Sequence, residues 1–166
     1  MPETWLNFSV IIFVQFLLFI ICAFYEKRLS DVARILGLGI LTGIVFGLLF
    51  DLVFGKFSGF HEYVLGFGVF FLILNAALSY SLFAANILLM QRLRLLQFYI
   101  WTVVIVAVYE ITNYFFPVWT WEFTLSPIEL LMVLSAGYFG GAILIATVWH
   151  MFLGHRFLFI DNLLKK

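Results

Sequence analysis

The chain has 166 residues, of which 65% are hydrophobic and 11% are charged, and its formal net charge is zero. A soluble domain carries about 25% charged residues, so this composition excludes a water-facing globule. The zero net charge also argues against nucleic acid as a partner. Lipid allows only helices or closed barrels to cross it, because backbone groups find no water there. The long unbroken apolar runs indicate helices, so we predict an all-α, polytopic transmembrane bundle.

Taken in chain order, the sequence predicts one transmembrane domain of about five helices. A span needs about 20 largely apolar residues, and charged residues or turns separate the runs. Ser126 and Pro127 precede the last run and are typical of a helix N-cap and first helical position, with Glu129 in the first turn. The predicted spans are residues 5–25, 35–54, 64–90, 95–116 and 128–152.

The distribution of basic residues predicts the orientation. Every Lys and Arg except Lys56 lies in the first loop, the third loop or the tail. With five spans these three segments share one side, and cytoplasmic loops carry the excess of basic residues. We therefore predict an external N-terminus and a cytoplasmic C-terminus, in a prokaryotic-type cytoplasmic (inner) membrane.

A weak internal repeat accompanies this pattern. Asp51 and Glu110 each follow an aromatic residue near the outer end of a span, and they lie 59 residues apart. Each acid is followed at the same distance by another aromatic residue, Phe60 or Trp119, and then by a long apolar helix. These features predict a tandem duplication of residues 43–90 and 102–150.

Three acids within or beside the spans are the catalytic candidates. At 1.5 Å per residue, Asp51 stands about 24 Å and Glu110 about 22 Å from the start of their spans, in a hydrocarbon layer about 30 Å thick. Glu129 enters from the same side. Because a charge at the bilayer centre costs about 2.5–3.5 kcal/mol, we expect the three carboxyls to share one interior cavity in the outer third. A proton donor in an apolar pocket is the chemistry that this arrangement predicts.

A simpler interpretation of the acids stays open. Asp51 and Glu110 would then be helix-end acids that accept hydrogen bonds from Asn, Tyr or Ser. Glu129 would be the capping acid of the fifth span.

Polar and aromatic side chains near these acids are the candidate substrate contacts. Polar residues recur at helical spacing on the third and fourth spans, and aromatic faces suit a cationic or polyene ligand. Packing between helices is the alternative explanation. His and Cys residues lack the spacing of a metal site, so we predict neither metal nor cofactor. The predicted substrate-binding residues are Phe60, Asn75, Tyr109, Asn113, Trp119 and Trp121.

Glycines recur at four-residue steps on two spans. Gly39, Gly43 and Gly47 precede Asp51 on the second span, and Gly137 and Gly141 recur on the fifth. Such spacing allows another helix to approach closely. We predict that these faces pack against a neighbouring helix, a second copy of the chain or another membrane protein.

Several of these motifs resemble the carotenoid (lycopene) cyclase domain of bacteria and archaea. That family pairs an aromatic-acid step with a later aromatic residue and a glycine, and a helix then opens on a Pro-x-Glu-Glu motif. The match covers about residues 43–138. It rests on Phe50-Asp51, Gly59-Phe60 and Tyr63-Val64-Leu65-Gly66 in the first unit, and on Tyr109-Glu110, Trp119-Thr120-Trp121 and Pro127-Ile128-Glu129-Leu130-Leu131 in the second.

The resemblance implies a small helical membrane protein that cyclises the ends of linear carotenoids without net redox change. Glu129 or Glu110 would protonate the polyene end, and a partner carboxylate such as Asp51 would take a proton back after ring closure. The sequence departs from the family in three respects. Leu130 stands where a second acid is expected, the first unit has Val69-Phe70-Phe71 near the place of the Pro-x-Glu-Glu motif, and five spans fall one short of two three-helix units.

Competing resemblances leave other functions open. Residues 43–59 also look like the bacterial rod-shape-determining membrane scaffold and like the small substrate-binding subunits of vitamin transporters. Three functions therefore stay open: an isoprenoid- or carotenoid-binding protein acting as a cyclase-like isomerase, a non-enzymatic scaffold, or a transporter subunit. The predicted partner is a membrane lipid or an isoprenoid ligand.

Overall fold

The structure is a computed structural model that describes residues 2–57, 59–66, 68–122 and 125–165. Within these residues, five helices are long and apolar enough to cross a membrane. This result confirms the all-α class with five helices that could span a membrane, and it suggests an integral membrane protein. The candidate spans are Glu3–Tyr25, Leu29–Phe57, Val69–Arg92, Leu95–Phe115 and Ile128–Leu153.

Shorter elements interrupt and connect the spans. The second span continues beyond its α-helix as a π-helical segment, Asp51–Phe57, and the third contains a π-helical turn, Ala76–Tyr80. In chain order the α-helices and strands are α1 (Pro2–Tyr25), α2 (Val32–Phe50), β1 (His61–Tyr63), α3 (Val69–Asn75), α4 (Ser81–Leu89), α5 (Leu95–Phe115), β2 (Trp119–Trp121), α6 (Pro127–Leu153) and α7 (Leu158–Leu164).

Helix α4 forms the centre of the bundle. All of its residues are buried, and α1, α2 and α6 pack around it, while α6 also packs on α5. A helix that is apolar on every side is buried rather than exposed on one face, and the sequence of α4 has no charged residue. The central helix therefore fixes the positions of the other spans.

The glycine steps of α2 allow it to cross the third span closely. A Cβ atom added at Gly39 would lie 2.6 Å from the backbone oxygen of Ser81, and one at Gly47 would lie 2.6 Å from the Tyr80 ring. Gly43 faces the Ser81 backbone directly. The close crossing predicted from these glycines is confirmed. The helix that fills this seam belongs to the chain itself.

The glycines of α6 have a different environment. A Cβ atom at Gly137, Gly140 or Gly141 would meet no atom within 4 Å. No described helix of the chain itself therefore packs on this face of α6, and its packing against a second copy or another membrane protein stays a prediction. The spacing of glycines alone does not show whether another helix lies opposite. Because glycine has no side chain, these positions leave open space along α6.

A two-stranded antiparallel sheet joins the two connectors at one end of the bundle. His61 lies opposite Trp121 and Tyr63 lies opposite Trp119. The pairing continues through Val64, whose backbone N–H donates to the Val118 carbonyl at 2.8 Å.

The third span consequently begins later than residue 64. Gly66 has a φ of 70°, which turns the chain after β1, and α3 starts at Val69. Hydropathy did not separate this strand and turn from the apolar helix that follows them.

The elements of the two proposed repeats recur at the predicted offset. Residues 69 and 128, where the third and fifth spans begin, are 59 positions apart, as are residues 51 and 110. The same offset relates residue 61 to residue 120 and residue 62 to residue 121. It therefore converts the strand pair His61–Trp121 into the other strand pair, Glu62–Thr120. Strands related by a two-fold axis would pair in this symmetric way. The duplication stays a prediction, and this pairing supports it.

Candidate functional site

A buried carboxylate, Asp51, is the centre of a polar cluster between the second and third spans. The carboxyl is fully buried, and it accepts hydrogen bonds from the hydroxyls of Tyr63 at 2.8 Å and Tyr80 at 2.7 Å. The amide nitrogen of Asn75 lies 3.5 Å from its second oxygen and donates to the Tyr63 hydroxyl at 2.8 Å. Nε2 of His61 lies 3.4 Å from Asp51. Donors surround this carboxylate, so it is an acceptor site within an apolar bundle.

Irregular helix geometry aims these side chains at one point. Asp51 is the first residue of the π-helical segment that ends the second span, and Tyr80 is the last residue of the π-helical turn in the third. A π-helical insertion shifts the direction of the following side chains and is frequent at functional sites. The two segments therefore bring an acceptor and a donor from different spans into contact.

Strand β1 supplies the remaining two members of the cluster. Its alternation places His61 and Tyr63 on the buried face and Glu62 on the exposed face. Burial and the neighbouring Asp51 carboxylate raise the pKa of Tyr63 well above its ordinary value. Tyr63 therefore keeps its proton and remains a donor to Asp51.

The second acid, Glu110, is connected to this cluster through β2. Its Oε2 accepts a hydrogen bond from the indole nitrogen of Trp121 at 2.9 Å, and its side chain is partly buried. The Trp121 ring lies 5.3 Å from the His61 ring, and the strand register places these two residues opposite each other. Asp51 and Glu110 thus lie on either side of one group of aromatic and imidazole rings.

A small cavity lies within this group. Its volume is about 20 Å³, which is enough for one water molecule. Hydroxyl, amide, imidazole and indole groups give it polar walls. Its lining includes His61, Tyr63, Asn75, Ser79, Tyr80, Tyr109, Trp119, Trp121 and Tyr138.

A larger apolar groove, with a volume of about 550 Å³, runs between α2 and α6. Exposed side chains of both helices form its rim, including Leu49 and Leu144, so it opens on the lipid-facing surface. The bare backbone at Gly137, Gly140 and Gly141 keeps this space open.

The groove ends at the polar cavity. Five residues line both spaces, so no further layer of protein separates them. One of them, Tyr138, stacks near Phe50 across the groove, with ring centroids 6.3 Å apart. The shared residues are Phe50, Tyr80, Phe83, Trp121 and Tyr138.

The structure does not bring Glu129 to this site. Its carboxylate is exposed and accepts hydrogen bonds from the backbone N–H of Ser126 at 2.9 Å and from the Ser126 hydroxyl at 2.7 Å. The Ser126 hydroxyl in turn accepts from the Glu129 N–H at 3.4 Å. This reciprocal arrangement is a capping box. The expectation that three acids share one cavity is therefore wrong for Glu129, which caps α6.

The predicted substrate contacts have several locations. Asn75, Tyr109, Trp119 and Trp121 line the polar cavity, and Phe60 lines the groove.

Asn113 has a different environment, because its amide bonds only to the backbone of the connector. It donates to the Trp119 carbonyl at 2.8 Å and accepts from the Val118 and Trp119 N–H groups at 2.9 and 3.1 Å. It positions β2 rather than lining the cavity.

Sequence reasoning missed three members of the site. His61 falls between two predicted spans, and neither Tyr80 nor Tyr138 stands out among the many aromatic residues. Tyr80 is five residues from Asn75 and one from Ser79, so α-helical spacing does not place it on their face; the π-helical turn Ala76–Tyr80 brings it to the site. Among the described residues, no group of three or more His, Cys, Asp or Glu is placed to hold a metal ion.

Comparisons with protein-family models, with curated proteins and with solved structures found no match for the chain. The resemblance to the carotenoid cyclase domain therefore stays a prediction.

Proposed function

We propose that this membrane protein binds an isoprenoid chain, of the carotenoid class, in the groove between α2 and α6. The observation that carries the proposal is that only one layer of side chains, the five shared residues, lies between the apolar groove and the polar cavity. A linear isoprenoid is long, apolar and flat, and it would enter from lipid along the open face of α6. Its end would then lie against Tyr138 and Trp121, which also line the polar cavity, and the Trp121 indole donates to Glu110.

The two acids support a cyclase-like isomerisation at that end. Glu110 would donate a proton to a terminal carbon–carbon double bond. The resulting carbocation would be attacked by the next double bond, closing the ring. Loss of a proton from a neighbouring carbon, accepted by Asp51, would restore a neutral product with the same composition. The two carboxyls have different environments, with several donors at Asp51 and one indole at Glu110, as acid and base pairs commonly do.

Aromatic rings would protect the cationic intermediate. The faces of Trp121, Tyr138 and Phe83 line the end of the groove. An aromatic face contributes about 0.5–2 kcal/mol to binding a cation. Water would quench the intermediate as an alcohol, so ring closure requires that water be kept away from the cation at the end of the groove.

Expression in a host that accumulates a linear carotenoid tests the chemistry. We expect the wild type to form cyclised product, and Glu110→Gln and Asp51→Asn each to lower conversion by at least about a hundredfold. Glu129→Gln is the matched control, because Gln also serves in a capping box, and it should retain conversion. Absence of product from a well-expressed wild type would remove the enzymatic part of the proposal.

Binding is tested separately from chemistry. Mass spectrometry of the protein purified in mild detergent should find an isoprenoid chain retained by the wild type. Gly137→Leu would fill the groove and should abolish retention. Gly37→Leu, on the open face of α2 where a Cβ meets no atom within 4 Å, should not. Equal retention by both variants would contradict binding in this groove.

The proposal of a scaffold that recruits partners through glycine faces has less support. The face of α2 that carries Gly39, Gly43 and Gly47 already packs against the chain's own third span. The open glycines of α6 border a concave groove, which favours a ligand over a flat helix.

We also propose that the N-terminus is external and the C-terminus cytoplasmic, in a prokaryotic-type inner membrane. Asp51, β1 and β2 lie at the end of the bundle away from the basic loops. The isoprenoid site would then be in the outer part of the membrane.

A further inference from the structure

A second polar pocket lies at the other end of the bundle. Its volume is about 160 Å³, several times the roughly 30 Å³ that one water molecule occupies in the liquid. The first loop, the start of α2, the end of the third span and the segment after α6 form its walls. Polar groups come from Arg28, Arg34, Gln91 and His155, and apolar groups from Ile35, Leu38 and Leu88.

Arg28 is held firmly at one wall of this pocket. Its Nη1 donates to the Leu88 carbonyl at 3.0 Å and to Gln91 at 3.4 Å, and its Nε donates to Asp31 at 3.2 Å. The side chain is only 19% exposed. These three hydrogen bonds are made by Nε and Nη1, and Nη2 takes part in none of them. Arg28 is thus a preorganised donor whose position does not depend on a ligand.

Arg34 supplies a second positive charge at the pocket. In the part of the chain that the structure describes, no carboxylate forms an ion pair with it, whereas Asp31 pairs with Arg28. The pocket therefore holds more positive than negative charge.

His155 adds a donor rather than an acceptor. Its Nδ1 lies 3.0 Å from the amide nitrogen of Gln91, which donates to it, so the neutral ring carries its proton on Nε2. Burial, Arg34 and Arg28 together lower the pKa of His155 below its ordinary value. The neutral ring is therefore a further donor among the residues that line the pocket.

We propose that this pocket binds the phosphate group of an anionic phospholipid. Arg28 and Arg34 would contact the phosphate oxygens, since guanidinium groups match phosphate geometry. Leu38 and Ile35 would contact the adjoining part of the lipid. Basic pockets between transmembrane helices bind such headgroups. This inference does not depend on the isoprenoid proposal, because the two sites lie at opposite ends of α2.

The test measures stabilisation of the full chain in detergent by added ligand. We expect the melting temperature to rise saturably with phosphatidylglycerol and not with phosphatidylcholine. Arg34→Gln should weaken the apparent affinity for phosphatidylglycerol by roughly tenfold, the loss of one charge-assisted hydrogen bond. Arg92→Gln removes an equal charge at the same end of the bundle but outside the pocket, and it should change the affinity by less than about twofold.

A second readout reports on the pocket itself. Phosphatidylglycerol should raise the pKa of His155, followed by NMR of the imidazole protons, because phosphate opposes the two arginine charges. Inorganic phosphate is the remaining probe. Stabilisation by millimolar phosphate equal to that by lipid would replace the lipid with a free phosphate as the ligand.

Two outcomes would overturn the site. One is an equal loss of affinity in Arg34→Gln and Arg92→Gln, which would indicate diffuse surface charge. The other is an unchanged His155 titration at a saturating concentration of phosphatidylglycerol.

Discussion

At the scale of single residues, the energetics of the site depend on how Asp51 is satisfied. A buried carboxylate without donors is very unfavourable, and the cost is offset when hydroxyl and amide groups donate to it. Here Tyr80 makes the shortest of these bonds, at 2.7 Å, and it comes from another span. The bond therefore contributes both to the site and to the contact between helices.

Removal of this donor gives the first prediction at this scale. Tyr80→Phe should lower the melting temperature in detergent, because a hydrogen bond to a charged group contributes about 1.5–3 kcal/mol. Tyr99→Phe is the control, since Tyr99 is 41% exposed and its ring contact with Phe139 would remain. Equal melting temperatures for the two variants would mean that Tyr80 does not support Asp51.

The lowered pKa of His155 predicts how the stability of the protein depends on pH. Its folded-state pKa lies below the ordinary value near 6.5, so the unfolded chain takes up a proton first as pH falls. The contribution of His155 to the free energy of unfolding is therefore present above the ordinary pKa and is lost as the pH falls below it. We expect the melting temperature to fall between about pH 7.5 and pH 5.5.

Two variants test this pH dependence. His155→Gln should flatten the curve, because the titrating group is gone. Arg34→Gln should flatten it partly, because one cause of the lowered pKa is removed. A curve that is the same in the wild type and both variants would assign the dependence to another group.

Sequence alone identified some of these residues and not others, for physical reasons. The cost of charge in lipid was sufficient to predict that Asp51 is an interior residue. The same argument failed for Glu129, since a helix N-terminus also stabilises an acid at the membrane surface. Tyr80 was missed because an aromatic residue in an apolar run carries no sign of its hydroxyl partner.

At the scale of elements, the five spans were predictable because hydropathy depends only on local composition. The exceptions are β1, β2 and the two π-helical segments. The strands have three residues each, and each is stable only because the other lies beside it. Such long-range pairing leaves little trace in a window of sequence. These unpredicted elements are the ones that position His61, Trp121 and Asp51.

The crossing of α2 and the third span gives a prediction at this scale. Gly43→Ala should destabilise the protein, because the added Cβ would overlap the Ser81 backbone, and overpacking costs about 1–3 kcal/mol. Gly37→Ala is the matched control on the same helix, where a Cβ meets no atom within 4 Å. It should be neutral or stabilise by about 0.5–1 kcal/mol, since Ala favours helix over Gly. If both variants melted above the wild type, the close crossing would be disproved.

At the scale of the whole molecule, the site is assembled from both halves of the chain. The first half supplies Asp51 with its tyrosine donors, and the second supplies Glu110 with its indole donor. The sheet that joins His61 to Trp121 is also the point about which the two proposed repeats are symmetric. One unit alone would contain one acid and an unpaired strand. A duplication followed by divergence of the two acids would account for this asymmetric site.

Orientation in the membrane is the last prediction at this scale, and it decides from which side a ligand or a proton reaches the site. Cysteines introduced by Glu62→Cys on β1 and by Leu163→Cys on α7 are both at exposed positions. A Cys22→Ser background removes the one native thiol. In intact cells an impermeant maleimide should label the β1 position only, and the α7 position should react after permeabilisation. The reverse pattern would place Asp51 and Glu110 toward the cytoplasm and the phosphate pocket outside. Labelling of both positions in intact cells would contradict an odd number of spans between β1 and α7.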